Sequence, residues 1–188
     1  VTTYTNVAQG LSVDARSTWY QNRNTSAIEQ INLRYSARRW TVYDNFEYRS
    51  DNYLKWKDLT QTVHVDTLWN EVSNEQEHRK HNRMENTVGL DYHIAGQSYV
   101  GGRYMLTLDT RNRMDLSSVN RISADGQPYD LLHTDGQEHG HSNPSHLINV
   151  YYSGTVNKFK INTDLDYLRS TTETDNAYDE TSQTGRSR

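Results

Sequence analysis

The stretch "INLRYSARRWTVYDNFEYRS", residues Ile31–Ser50, decides the fold. Ile31, Leu33 and Tyr35 alternate with Asn32, Arg34 and Ser36. Beyond a short turn at "SARR", Trp40, Val42, Phe46 and Tyr48 alternate with Thr41, Tyr43, Asn45 and Glu47. Successive side chains of a strand point to opposite faces, so this reads as a hairpin with one apolar and one polar face. What covers the apolar face (a protein core, a ligand or lipid) separates the function classes open to the chain. Asp44 falls on the apolar row. It predicts either a bulge that shifts the register or a position near the border of the apolar zone.

The same alternation recurs outward from this hairpin. Leu11, Val13, Ala15 and Trp19 share a face, as do Val88, Leu90, Tyr92 and Ile94. So do Val100, Gly102, Tyr104, Leu106 and Leu108, then Ile148, Val150 and Tyr152, and last Phe159, Ile161, Leu165 and Tyr167. With "VTTYTN" as a lead-in, this predicts an all-β fold of about eight strands in an antiparallel up-and-down meander. Leu33, Leu90, Tyr104, Val150 and Ile161 are expected on one face, with Arg34, Asp91, Arg103, Asn149 and Asn162 on the other.

The connections are of two kinds. "SARR" (36–39), "AGQS" (95–98) and "GTVN" (154–157) are short, and their second residues recur at intervals of 59. "VAQG" (7–10) reads as a fourth short turn, and "QNRNTS" (21–26) as the short exception among the connections at the opposite end. Residues 51–84, 110–145 and everything after Ser170 read as long polar loops at the other end of the sheet. Within them, 74–86 suits a short polar helix; the alternative, which the alternation over 60–69 favours, is a hairpin that extends the strands. Short turns at one end and long loops at the other mark outer-membrane barrels. Segments such as Gly10–Tyr20 and Lys158–Ser170 have about the ~9–11 residues that a tilted spanning strand needs. Aromatics gather toward the strand ends: Trp19, Tyr20 and Tyr48 at the loop end, Tyr35, Trp40, Tyr99, Tyr152 and Phe159 at the turn end. That is the pattern of two interfacial girdles.

Composition fits this reading. Only 33% of the 188 residues are hydrophobic and the mean hydropathy is −1.00, which is poor for a chain that buries its own core. A barrel wall needs only alternate residues apolar, and only across the membrane. The 14 Tyr and 4 Trp against 2 Phe suit boundaries between wet and dry regions. A net charge of −4 with no basic block disfavours nucleic acid, and the lack of cysteine excludes disulfides and thiolate metal sites.

"NRMENTVGLDYHIAGQSYVGGRYMLT", "RNRMD" and "NPSHLINVYYSGTVNKFKINTDLDYL" together resemble the outer-membrane β-barrel region of TonB-dependent receptors from Bacteroidetes-type bacteria. The likeness runs from about Gly10 to Tyr167. It implies residence in the bacterial outer membrane and energy-dependent import of a solute through a large barrel. The implied partners are outer-membrane lipid, the remaining strands and plug of a full receptor, and a TonB-type energising system. It implies no cofactor. Family members have 22 strands, a plug and a TonB box. Neither plug nor box is found in 1–188, so the chain is expected to be a segment of one barrel domain.

Candidate chemistry is sparse. "HGH" (139–141) with His146, and the pair His78 and His81, suggest metal binding. They lack the tuned spacing of a zinc site and read better as solvated loop residues, so no metal site is assigned. No G-x-S-x-G, H-E-x-x-H or P-loop occurs, and the chain is read as no enzyme. Solute contact is expected in the loops, at Trp56, His64, Trp69, Tyr129 and His133. The competing reading is a soluble antiparallel β-sheet module that binds a ligand or another sheet through its apolar face. A segment unable to fold alone is the third.

Overall fold

The computed structural model describes residues 9–95, 98–156 and 158–185. They form one open antiparallel sheet of nine strands: β1 (Gly10–Gln21), β2 (Thr25–Ala37), β3 (Trp40–His64), β4 (Leu68–Ala95), β5 (Ser98–Ala124), β6 (Gln127–Ser142), β7 (Ser145–Val156), β8 (Phe159–Arg169) and β9 (Thr172–Ser182). The all-β meander read from the alternation is therefore the fold. The lead-in strand over residues 1–6 and the start of the "VAQG" turn lie outside the described residues, as do Gly96, Gln97 and Asn157 of two other turns.

Strands β6 and β7 both run antiparallel to β5, β6 along its far half and β7 along its near half. They are one pass of the chain, interrupted at Asn143–Pro144, where proline has no N–H to give the ladder. β9 and β8 repeat this against β6 and β7, with the break at Ser170–Thr171. The Asn143 amide donates to the Thr171 carbonyl at 3.1 Å and ties the two breaks together. The chain thus crosses the sheet seven times. Thr110 is the extra residue of a bulge in β5 at nearly the same height, between the pairs Arg83–Asp109 and Asn82–Arg111.

The segments expected as long loops are strands. β3 and β4 stay paired from Trp40–Tyr92 out to His64–Leu68, and β4 and β5 out to Trp69–Ala124. No helix forms over 74–86, the hairpin over 60–69 is present, and residues 172–182 are β9. Asp125 and Gly126 have φ of 50° and 78°, as a two-residue hairpin turn requires. The tips of the two long hairpins are joined, with Asp125 bonded to Leu68 through both backbone and carboxylate at 2.8 Å. With 28 residues, β4 extends about 90 Å. The loop reading failed because both faces of these extensions are polar. That erases the period-two signal, yet a ladder needs only backbone groups.

Register fixes the faces. One row runs Val13–Leu33–Asp44–Val88–Tyr104–Ile148–Tyr167, and the next toward the short turns runs Leu11–Tyr35–Val42–Leu90–Gly102–Val150–Leu165. Leu33, Leu90, Tyr104, Val150 and Ile161 share this face; Arg34, Asp91, Arg103, Asn149 and Asn162 lie on the other. Trp40–Tyr92–Val100–Tyr152 closes the apolar zone at one end, with the Trp40 and Tyr92 rings 4.4 Å apart. Tyr48–Met84–Leu108 closes it at the other. Trp40 to Tyr48 makes about 26 Å of strand. Tyr20 and Tyr99, expected in the girdles, sit on the polar face, opposite Ser26 and opposite His93 and Ser153. Asp44 is on the apolar face, midway between the Trp40 and Tyr48 rows and with no shift in register around it, so neither the bulge nor the border position expected for it is found.

Burial is inverted. Among the described residues every buried polar one lies on the polar face, Thr41 at 1% and Asn149 at 2% exposure included, while Leu11, Val13, Ile148, Val150 and Leu165 are exposed. Packing on the polar face relies on tyrosine over glycine. The Tyr43 ring lies across Gly89, Tyr151 across Gly101 and Tyr178 across Gly136, each directly opposite on the neighbouring strand. A Cβ at Gly89 or Gly101 would run into the ring. Gly89→Val should therefore destabilise the sheet by ~1–3 kcal/mol. In a Tyr43→Ala background the same change should cost less, by a coupling of ~0.5–3 kcal/mol measured in a denaturant double-mutant cycle. Strict additivity would refute the packing.

Candidate functional site: the polar face

The polar face is a ladder of charges and amides that satisfy one another. Nearest the short turns, the Tyr151 hydroxyl donates to Asp91, the residue opposite Thr41 and Gly101. Asn149 Nδ2 donates to Asp166 at 2.7 Å. Arg34, Asp91, Arg103, Tyr151 and Asp164 line an open recess of roughly 420 Å³ here, with both charge signs present. Further along, Gln30 donates to Glu47 at 2.7 Å, Arg83 meets Glu85 at 3.0 Å and His81 meets Asp109 at 3.0 Å. Beyond the apolar zone, Lys57 lies 2.5 Å from Glu75 and 3.4 Å from Glu77, which also faces Arg79 at 3.5 Å. The hydrogen bond that Lys57 donates to Glu75, helped by the Glu75 charge and by Glu77, outweighs desolvation and raises the pKa of the Lys57 ammonium above its usual value. Such a surface suits hydrated polar solutes better than apolar ones.

The residues expected to contact solute are in strands, not loops, and do not form one site. Trp56 is on the same face as the apolar zone but beyond it, and the Arg23 guanidinium lies 4.6 Å from its ring centroid. His64 ends β3 opposite Leu68, and His133 lies opposite Val119 and Thr181. Only Trp69 and Tyr129 are brought together, edge to face at 4.8 Å. Tyr129 is the bulged residue between the pairs Ile122–Asp130 and Ser123–Pro128. The pair belongs to the tip of the long hairpins. His78 and His81 point to opposite faces, and His146 bonds the Tyr104 hydroxyl at 2.7 Å. Among the described residues no three His, Asp or Glu side chains converge as metal ligands would.

Asp130 is buried and ties β9 to β6. It accepts from Ser182 Oγ at 2.6 Å, from the Thr184 amide at 3.1 Å and from the Leu131 amide at 2.8 Å. Burial by itself would push its carboxyl up, but these bonds outweigh that and hold it well below the ordinary carboxylate range. A depressed folded value means a contribution present above the unfolded value of ~3.9 and lost as pH falls through the folded one. Protection of the Thr184 amide, taken against the unprotected exchange rate at the same pH, should therefore hold down to about pH 4 and fall only in stronger acid. Asp130→Asn should lower it at neutral pH. A Thr184 amide that loosens between pH 7 and pH 5 would contradict this.

The polar-face tyrosines and their glycines were not singled out as a set from sequence. "GLDY" and "GGRY" supply only the glycines, since their own tyrosines, Tyr92 and Tyr104, face the apolar side; the pairing of Gly89 with Tyr43 and of Gly101 with Tyr151 needs the register. Compared with known proteins, the chain matches no protein-family model and no curated protein.

Proposed function

We propose that the chain is part of the wall of an outer-membrane β-barrel, of the import-receptor kind that its sequence resembles. The observation that carries this is the inversion of burial. Six inter-strand gaps by 26 Å of strand give an apolar face on the order of 700 Å². Soluble monomers rarely expose a contiguous patch beyond about 300–600 Å². Hydrocarbon in place of water turns that exposure from a cost into a requirement. A strand tilt of ~40° shortens 26 Å to about 20 Å, close to the ~25 Å band of such barrels once the flanking Trp19 and Phe159 are added.

Among the described residues, β1 on one side and β8 and β9 on the other pair along one edge only. Open edges are not tolerated in hydrocarbon, so further strands of the same barrel complete the wall. The polar face then lines the passage. The paired extensions beyond the apolar zone form a rim, where a solute first meets protein. A plug and a TonB-type system would gate and energise passage in the whole receptor. The wall performs no covalent chemistry in this reading.

Residues 1–188 contain no cysteine, so each probe is the one cysteine of this segment, in a full-length background from which any other cysteine has been removed. Fluorophores at Leu90→Cys and Val150→Cys of the full-length protein in bilayers should be quenched by lipid-borne quenchers, and one at Arg103→Cys by aqueous iodide. Val88→Lys and Leu90→Lys, near the middle of the apolar zone, should lower stability in bilayers by ~2–4 kcal/mol, and Asn162→Lys by less than ~1 kcal/mol. Ile161 lies past the Tyr152–Thr163 pair, at the margin, so a charge there should cost less than at Val88. Aqueous quenching at all three probes would refute the membrane reading.

A further inference from the structure

On the apolar face, charge sorts by height. Over β3–β7 the apolar zone itself carries one formal charge, Asp44. The two rows directly beyond Tyr48–Met84–Leu108 are Ser50–Asn82–Arg111 and Asn52–Lys80–Arg113–His139–Asp175, basic on β4 and β5 and acidic only where they reach β9. His141 is on the same face, two residues from His139. The next three rows hold Asp58, Asp115, Asp135 and Asp179, and no lysine or arginine. A basic belt thus sits at the border of the apolar zone, with an acidic region above it. The polar face shows no such sorting at the same height, where Arg83, Glu85, His81 and Asp109 alternate.

The belt is costly in isolation. Lys80 and Arg113 are direct cross-strand partners, and like charges so placed destabilise a sheet. Arg113 is partly offset by Asp115 at 2.9 Å, and Glu173 and Asp175 on β9 lie opposite His141 and His139, with His141 3.6 Å from Asp175. Neither of these relieves the Lys80 side. The side chains surround an open groove of roughly 440 Å³ lined by Lys80, Arg111, Arg113, Asp115, His139 and His141. The bulge at Thr110 opens it, by turning Arg111 and Arg113 onto this face in place of Asn112 and Met114.

We infer that the belt docks the phosphate-bearing headgroups of the surrounding lipid leaflet. The inference rests on the membrane reading above. A phosphate at this depth meets Lys80, Arg111 and Arg113 together, while its acyl chains run down the apolar face past Tyr48, Met84 and Leu108. The two halves of an anionic lipid match the two zones in the order in which they occur.

The test uses the full-length protein in bilayer nanodiscs of phosphatidylcholine with a minority of phosphatidic acid. Lipid retained after detergent extraction is measured by mass spectrometry. Insertion is scored separately by flotation with plain phosphatidylcholine vesicles. Phosphatidic acid should be retained over phosphatidylcholine by on the order of tenfold. The triple variant Lys80→Gln, Arg111→Gln, Arg113→Gln should insert normally and fall to near parity. Asp115→Asn, which frees Arg113, should retain more. Normal insertion with equal retention of both lipids, or enrichment that survives the triple variant, overturns the belt and leaves the membrane reading standing. Loss of the enrichment in millimolar inorganic phosphate would make this a soluble-anion site and overturn the lipid assignment. Failure of the wild-type protein to insert would overturn both readings.

Discussion

The backbone ladder in the rows around Leu33 and Val88 is the constraint on which everything else depends. Seven chain passes share it, and its period of two assigns every side chain to one of two surroundings. A slip of one residue between β3 and β4 would carry Val88 and Leu90 onto the polar face and put Asp91 and Glu85 out. No such error can be repaired locally, because the next strand is registered to the first. The tyrosine–glycine contacts are what make a slip expensive. Tyr43 fits over Gly89, and the residues on either side of Gly89 on that face are Asp91 and Thr87, neither of which leaves room for a ring. Register is thus held on the polar face, while the apolar face supplies the smooth surface.

The same ladder explains why the sheet continues so far past the apolar zone. Backbone pairing is indifferent to what the side chains touch, so β3, β4 and β5 extend with polar residues on both faces. Two wet faces leave little burial to hold them. Cross-strand pairs do that work instead, Lys57 with Glu75 and Glu77, Ser73 with Asn120, Thr62 with Asn70. Each exposed pair is worth only a few tenths of a kcal/mol, but the pairs are repeated along the whole extension. The tips add the Asp125–Leu68 link and the Trp69–Tyr129 contact, which close the two hairpins on each other.

How much was legible follows from which residues see two different environments. Where one face is apolar, alternation was visible, and the strands around Leu33, Leu90, Val150 and Ile161 were read with the right faces. Where both faces are wet, at 51–84 and 110–145, hydropathy carries no period. Val63, Trp69, Val72 and Ile122 are too sparse to restore it. The "DG" at Asp125–Gly126 has the chemistry of a turn, but the polar stretches on either side of it hide the strands that it joins. The supposed solute residues failed as a set for a related reason. Trp56 and Trp69 differ by an odd number of residues across one tight turn, and the pairing of Trp56 with Gln76 puts them on opposite faces. Only the register reveals that.

Asp44 shows how the apolar face tolerates an exception. A carboxylate in mid-row on that face would be costly alone. The ladder could have removed it with a bulge, and does not. Instead Asn86, one row away on β4, donates to it at 2.5 Å, so the two polar side chains satisfy each other within the surface. Two strands further on, Tyr104 and His146 do the same, their rings stacked and their polar atoms joined. Both pairs link adjacent strands across the face rather than along one strand. Each therefore adds a side-chain tie to the ladder where apolar neighbours offer only contact, and the polar residues of the apolar face serve the same end as the tyrosines of the polar one: they hold the register.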